Sequence, residues 1–183
     1  ENHKLPLVAV DLWYHVGQVN AKAGRTRSAQ RFEHMMFEGS EHVGEKAQFK
    51  YLEGAGASDI NGTTNFDRTN YFETVPSNQL ELGLWLESDR MGFLTEALTP
   101  ERLEVQRDVV KNERRQTYEN SPYGASELVM YETLFPPEHP YHGAVIGSME
   151  DLSRATLDDV RTFFRAFYAP SNATLAVAGD FDE

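Results

Sequence analysis

The order of segments along the chain predicts an α+β fold, a two-layer α/β sandwich, in one domain over residues 1–183. Three observations predict it. Runs rich in β-branched and aromatic residues stand near both ends, at Leu7–Val16 and Ala173–Ala178. A further pair of strand-like runs lies between Ala57 and Val75. The segments between them carry helical periodicity, with start and stop residues at their ends. Strand, helices, paired strands, helices, strand is the pattern of a sheet covered by helices.

Each element has its own local reason. Leu7–Val16 (LVAVDLWYHV) reads as a strand, and the polar stretch Gln18–Arg27 with Gly24 as a loop. Ser28–Phe37 is helical, with Gly39 as its C-cap. Glu45–Glu53 is a short helix stopped by Gly54-Ala55-Gly56. Within Ala57–Val75 the Asn61-Gly62 step is a turn or a point of close backbone approach. Asn78 and Glu81 have capping-box spacing and open a helix through Leu82, Trp85, Leu86 and Met91. Thr99-Pro100 opens a long helix to about Tyr118, Ser121-Pro122 another to about Leu134, and Thr156 with Asp159 a third to Tyr168. Ala173–Ala178 (ATLAVA) reads as a buried strand ending at Gly179-Asp180.

Composition narrows the function. The net charge of −12 argues against nucleic acid, which would be repelled without a basic patch. The densest basic cluster, Lys111 with Arg114 and Arg115, is interrupted by Glu113. The absence of cysteine excludes disulfides, thiol nucleophiles and thiolate metal sites. No apolar run reaches the roughly 18 residues of a membrane span. The chain opens at Glu1-Asn2-His3-Lys4 and runs almost at once into a strand, so a precursor extending upstream is expected.

Chemistry concentrates in Ala29–Phe37. At about 100° per residue, Ala29, Phe32 and Met36 form an apolar row, and Gln30, Glu33, His34 and Phe37 the row beside it. A carboxyl and an imidazole bordering an apolar face point into a partly buried cleft, where a metal ion would compensate both. A Glu-His pair on a helix is more often simply solvated, and these residues alone leave that open. The inverted zinc motif H-x-x-E-H uses two histidines one turn apart as ligands and the glutamate as general base. In this chain the frame reads Gln30-Arg31-Phe32-Glu33-His34. A third ligand from elsewhere is required. Glu113 is a candidate, on one face of the long helix with Gln106, Val109 and Val110, or else it is solvated beside its arginines at a frayed end.

Four blocks together resemble the pitrilysin/insulinase family of inverted-motif zinc metallopeptidases. They are Phe32–Ser40, Asp59–Phe72, Arg107–Arg115, and His139-Pro140-Tyr141-His142-Gly143 running into Ile146-Gly147-Ser148. The resemblance covers essentially the whole chain, in the family's order. It implies a mostly antiparallel sheet with helices on one face. It also implies the zinc-bearing half of a protein that pairs with a second homologous domain or subunit, here without its first strand and its second half. By resemblance, Glu33 is the general base, His34 and Glu113 are zinc ligands, and Asn61-Gly62-Thr63-Thr64 is the edge strand to which an extended peptide adds. A periplasmic or exported setting is the family's habit in bacteria.

The departures matter as much. Gln30 stands where the family has a ligand histidine, and an amide is a poor zinc ligand. Arg31 adds a positive charge beside it, Arg27 and Ser28 also depart from the family's pattern, and Gln106 stands where many relatives carry glutamate. His142 belongs to a block that resembles active relatives, so it is not read as a replacement ligand. The expectation is a zinc-protease domain that is catalytically inactive, with zinc absent or weakly bound, serving in pairing or extended-peptide binding. The alternative is a weak or conditional zinc metalloendopeptidase with Glu33 as base. A purely structural module is the third reading.

Overall fold

The computed structural model describes residues 1–21 and 29–182, with 29–31 described by their backbone alone. Arg27 and Ser28, and the side chains of Gln30 and Arg31, lie outside the described residues.

The sheet is built from β1 (Leu7–Tyr14), β2 (Ser58–Thr64), β3 (Thr69–Pro76) and β4 (Ala173–Gly179). Their order is β2-β3-β1-β4, and every pairing is antiparallel. Strand β1 shows why one face is covered. Val8, Val10, Leu12 and Tyr14 alternate inward and are buried, while Leu7 and Trp13 face the other way and are exposed. The register Val8↔Val75 and Leu12↔Tyr71 continues that buried face into β3.

The helices are α1 (Ala29–Met35), α2 (Ala47–Gly54), α3 (Leu80–Ala97), α4 (Pro100–Arg114), α5 (Gly124–Leu134), α6 (Met149–Arg154) and α7 (Leu157–Phe167). The main core joins them to the sheet through Tyr14, Phe32, Met35, Met36, Tyr71, Phe163 and Tyr168. Phe32 of α1 stacks on Phe163 of α7 with ring centroids 4.1 Å apart. Burying such a ring stabilises by about 1.5–3 kcal/mol, and it fixes which face of α1 turns inward.

Several start signals act as read. Thr99 accepts a bond from the Arg102 amide, with Pro100 at the first helical position. Thr156 and Asp159 form a complete capping box. Others need correction. The spacing of Asn78 and Glu81 does not start α3, because Ser77–Gln79 makes a tighter 3-10 turn first and Gln79 becomes the cap without a side-chain bond. Ser121-Pro122 does not open α5. The end of α4 continues as a π turn at Arg115–Glu119, and the next helix begins only at Gly124, after Tyr123 in the left-handed region at φ 61°. Helix α6 goes unread in the sequence, although Ser148 caps it by accepting from the Asp151 amide. Strand β4 is expected to be buried and is largely exposed, with Leu175 at 50%. It lies at the far edge of the sheet, where Ala173 and Val177 still pack against the core while Leu175 between them does not.

Candidate functional site

Helix α1 lies across β2 and against α4, so its polar row faces a cleft between them. The cleft encloses about 950 Å³ and is lined on one side by Glu33, His34 and Phe37, on another by Asn61–Thr64, and on the third by Gln106, Val109 and Glu113. The structure therefore gathers the predicted residues Glu33, His34, Glu113, Asn61, Gly62, Thr63 and Thr64 around one space. The helix backbone carries residue 30 one turn before His34.

His34 Nε2 lies 3.3 Å from Glu113 Oε2. Burial alone would lower the imidazole's pKa. The hydrogen bond to Glu113, the charges of Glu33 and Glu113, and a hydrogen bond to Gln106 outweigh it, and the net shift is upward. Helix α4 presents Glu113 with Val110 buried behind it, whereas Val109, expected on a buried face, is 41% exposed because it borders the open cleft. The sequence expectation for Val109 is corrected on that point.

Glu33 is buried. The Thr64 hydroxyl donates to its carboxyl, which ties α1 to the end of β2. Burial raises the Glu33 pKa, and the Thr64 bond and His34 only partly oppose it. From the sheet, the Tyr71 hydroxyl donates to the Glu33 carbonyl at 3.4 Å. Tyr71 in turn lies under the buried Arg90 guanidinium, 4.2 Å from its ring centroid.

Strand β2 is the free edge of the sheet on this side. Gly62 is needed there for space. A Cβ at Gly62 would meet Tyr71 Cδ1 at 3.0 Å and Phe37 Cε2 at 3.2 Å. The close approach anticipated at Asn61-Gly62 is a contact with these two rings, not a turn. Thr63 donates to Asn70 Oδ1 at 2.6 Å, and the Arg68 guanidinium bridges the same two side chains, so the strand is held from its outer face.

Two residues of the site are not singled out by the sequence, although both fall within the family-like blocks. Glu38 follows the end of α1, and Gly39 at φ +102° turns the chain so tightly that a Cβ there would meet Val43 O at 2.6 Å. That turn folds Glu38 inward, where it is 2% exposed and borders the cleft. Tyr71 reads from the sequence only as a strand residue. Gln106, singled out as a departure, donates from Nε2 to Glu38 Oε1 at 2.5 Å. His142 Nδ1 lies 2.7 Å from Phe135 O, and it does not border this cleft.

A helical Gln30-x-x-Glu33-His34 frame facing a carboxyl on a second helix, beside a free sheet edge, has the layout of an inverted-motif metallopeptidase domain with its first histidine replaced. The chain belongs to the insulinase family, peptidase family M16, whose family model matches residues 1–135. The model of the peptidase M16 inactive domain matches residues 154–183. The chain is 33% identical to zinc protease PqqE of Helicobacter pylori over 178 residues, covering 97% of this chain and 39% of that protein. The crystal structure of a protease from Helicobacter pylori superposes with TM-score 0.92 at 32% identity, over 99% of this chain and 43% of that one. The periplasmic protease PqqL from Escherichia coli shares the fold, with TM-score 0.85 at 23% identity, over 100% of this chain and 20% of that one. The chain thus spans less than half the length of these relatives.

The family implies zinc, and the residues can be tested against it. Zinc of this kind takes three protein ligands and leaves one position open. His34 and Glu113 converge, but Glu33 is turned to Thr64 and residue 30 is a glutamine. Among the described residues no group of three or more His, Asp or Glu side chains stands close enough to hold a metal ion. The set does not fit a three-ligand zinc site.

Proposed function

We propose that this chain is a non-catalytic domain of the M16 family that pairs with a second homologous domain or subunit and holds an extended peptide along β2. Gln30 at the first ligand position of the H-x-x-E-H frame carries the reading. Losing one of three ligands costs more than changing a residue that merely supports a ligand, and even that costs about 10–100-fold in affinity or activity. The remaining pair satisfies itself: His34 and Glu113 hold each other, and Glu33 is held by Thr64. In this reading the former base now fastens α1 to the peptide-binding edge.

Pairing is supported by the relatives, which are more than twice the length of this chain, and by the match of its last segment to a second family model. Peptide binding is supported by the free edge of β2 and by the apolar cleft wall of Phe37, Phe49 and Phe66 beside it. Backbone pairing to an edge strand gives affinity with little dependence on peptide sequence. The periplasmic relative supports a periplasmic setting, and no helix of the described residues is long and apolar enough to cross a membrane. The test is an assay of the full-length protein on unstructured peptides, with and without chelator. Binding without cleavage is expected, and chelator-sensitive cleavage would overturn the reading.

One observation favours a second reading, a weak metalloendopeptidase. Glu33 is a buried carboxyl at a cleft with its pKa raised, which suits a group that takes a proton from water. Equal peptide turnover by the wild type and Glu33→Gln would remove it.

A further inference from the structure

We propose that Glu38 is a positioning residue: it turns the Gln106 amide so that its carbonyl faces the His34 imidazole, and so holds that ring in one hydrogen-bonding arrangement. A glutamine side chain presents a donor on one side and an acceptor on the other, and its neighbours decide which way it points. Gln106 is 6% exposed, Glu38 is 2% exposed, and 2.5 Å separates Gln106 Nε2 from Glu38 Oε1. With the amide reversed, two oxygens would face each other at that distance in a buried site. Glu38 therefore fixes the Gln106 nitrogen on its own side and leaves the carbonyl toward the cleft that His34 also lines, where Gln106 helps to raise the His34 pKa.

Burial sharpens the effect. The other carboxyl oxygen, Glu38 Oε2, is buried without a hydrogen-bond partner among the described residues. Gln106 is itself largely buried, and its bond to Glu38 decides its orientation. The left-handed turn at Gly39 keeps Glu38 in place. A run of contacts Glu38–Gln106–His34–Glu113 results, spanning α4 and the end of α1.

The inference rests on the site reading only in taking His34 as the ring that a metal would use, and its test needs no metal. The measurement is the two-bond proton–nitrogen NMR correlation of the His34 ring in the full chain, with chelator, at one fixed pH, assigned with His34→Asn. Glu38→Gln frees the Gln106 amide to adopt both orientations, so the His34 nitrogen signals should shift and broaden. The double variant Glu38→Gln with Gln106→Glu exchanges donor and acceptor: the new amide donates to the new carboxyl, which still accepts from His34. Its His34 pattern should return to a single sharp set. A role in packing alone would leave the signals unmoved in the near-isosteric Glu38→Gln and give the double variant nothing to rescue. Unchanged His34 signals in Glu38→Gln, or a double variant as perturbed as the single one, overturns the proposal. If Glu38→Gln does not fold, a folded double variant with a sharp His34 pattern supports it, and a broadened one overturns it. In a Gln30→His background the single variant should weaken zinc binding about 10-fold or more and the double variant should recover it. Zinc affinity unmoved beside the expected NMR result would overturn the ligand reading of His34 and leave the positioning role standing.

Discussion

Arg90 is 3% exposed and holds the buried Glu87 through Nε at 2.8 Å, while its guanidinium lies over Tyr71 and Phe37. It thus neutralises a core carboxyl and supports the two rings that back α1. Arg90→Met should cost about 3–5 kcal/mol, because Glu87 would be left buried and unpaired; urea unfolding measures it. Glu73 sits beside this pair. Burial, and after it the charge of Glu87, pushes its pKa up to about 9. The unfolded chain loses this proton near pH 4.5, the ordinary value, and the folded chain holds it to about pH 9. The folded state therefore binds the extra proton between these values. Its stabilising contribution is complete below about pH 4.5 and is lost as pH rises toward 9. Glu73→Gln should flatten that decline and be more stable than the wild type at pH 9, by on the order of 1–3 kcal/mol. Parallel stability-against-pH curves for the two proteins would contradict this.

Among the elements, β2 is the edge proposed to hold the peptide, and Gly62 is its sensitive point. Gly62→Val would press a side chain into Tyr71 and Phe37. Overpacking of this kind costs about 1–3 kcal/mol, and here it would also push the edge strand off register. Peptide binding should fall further than stability does, measured by fluorescence polarisation beside a urea titration. Elements were legible in the sequence where local chemistry alone decides them. Thr156 and Asp159 cap α7 by their own side chains, and the β-branched and aromatic residues of Leu7–Val16 declare β1 as a strand. Signals failed where neighbours decide. Asn78 has the spacing of a cap, but the 3-10 turn shifts the start of α3 beyond it. Gly124 opens α5 because a Cβ there would meet Thr117 O at 2.5 Å across the π turn, a constraint set by α4 and not by Ser121-Pro122. Strand β4 reads as apolar, but its exposure depends on what lies beside the sheet edge.

On the scale of the molecule, three separate segments meet at the cleft: α1, the β2 edge and α4. That Glu33, His34, Glu113 and Asn61–Thr64 border one cleft was legible because their blocks resemble a family. Their spacing alone left both Glu33-His34 and Glu113 open to a solvated reading. Glu38 was not legible, because its inward turn depends on Gly39 and its meaning on Gln106, distant in sequence. The acidic surface, with a net charge of −12, suits basic or neutral peptides over nucleic acid. In the proposed reading the frame is intact and its metal chemistry has lapsed at one residue, Gln30. The most direct test is zinc per chain by elemental analysis, on the protein as it stands and on Gln30→His. Near-zero zinc is expected in the first and about one per chain in the second, as a completed three-ligand set would hold. Near-stoichiometric zinc in the unaltered protein would contradict it.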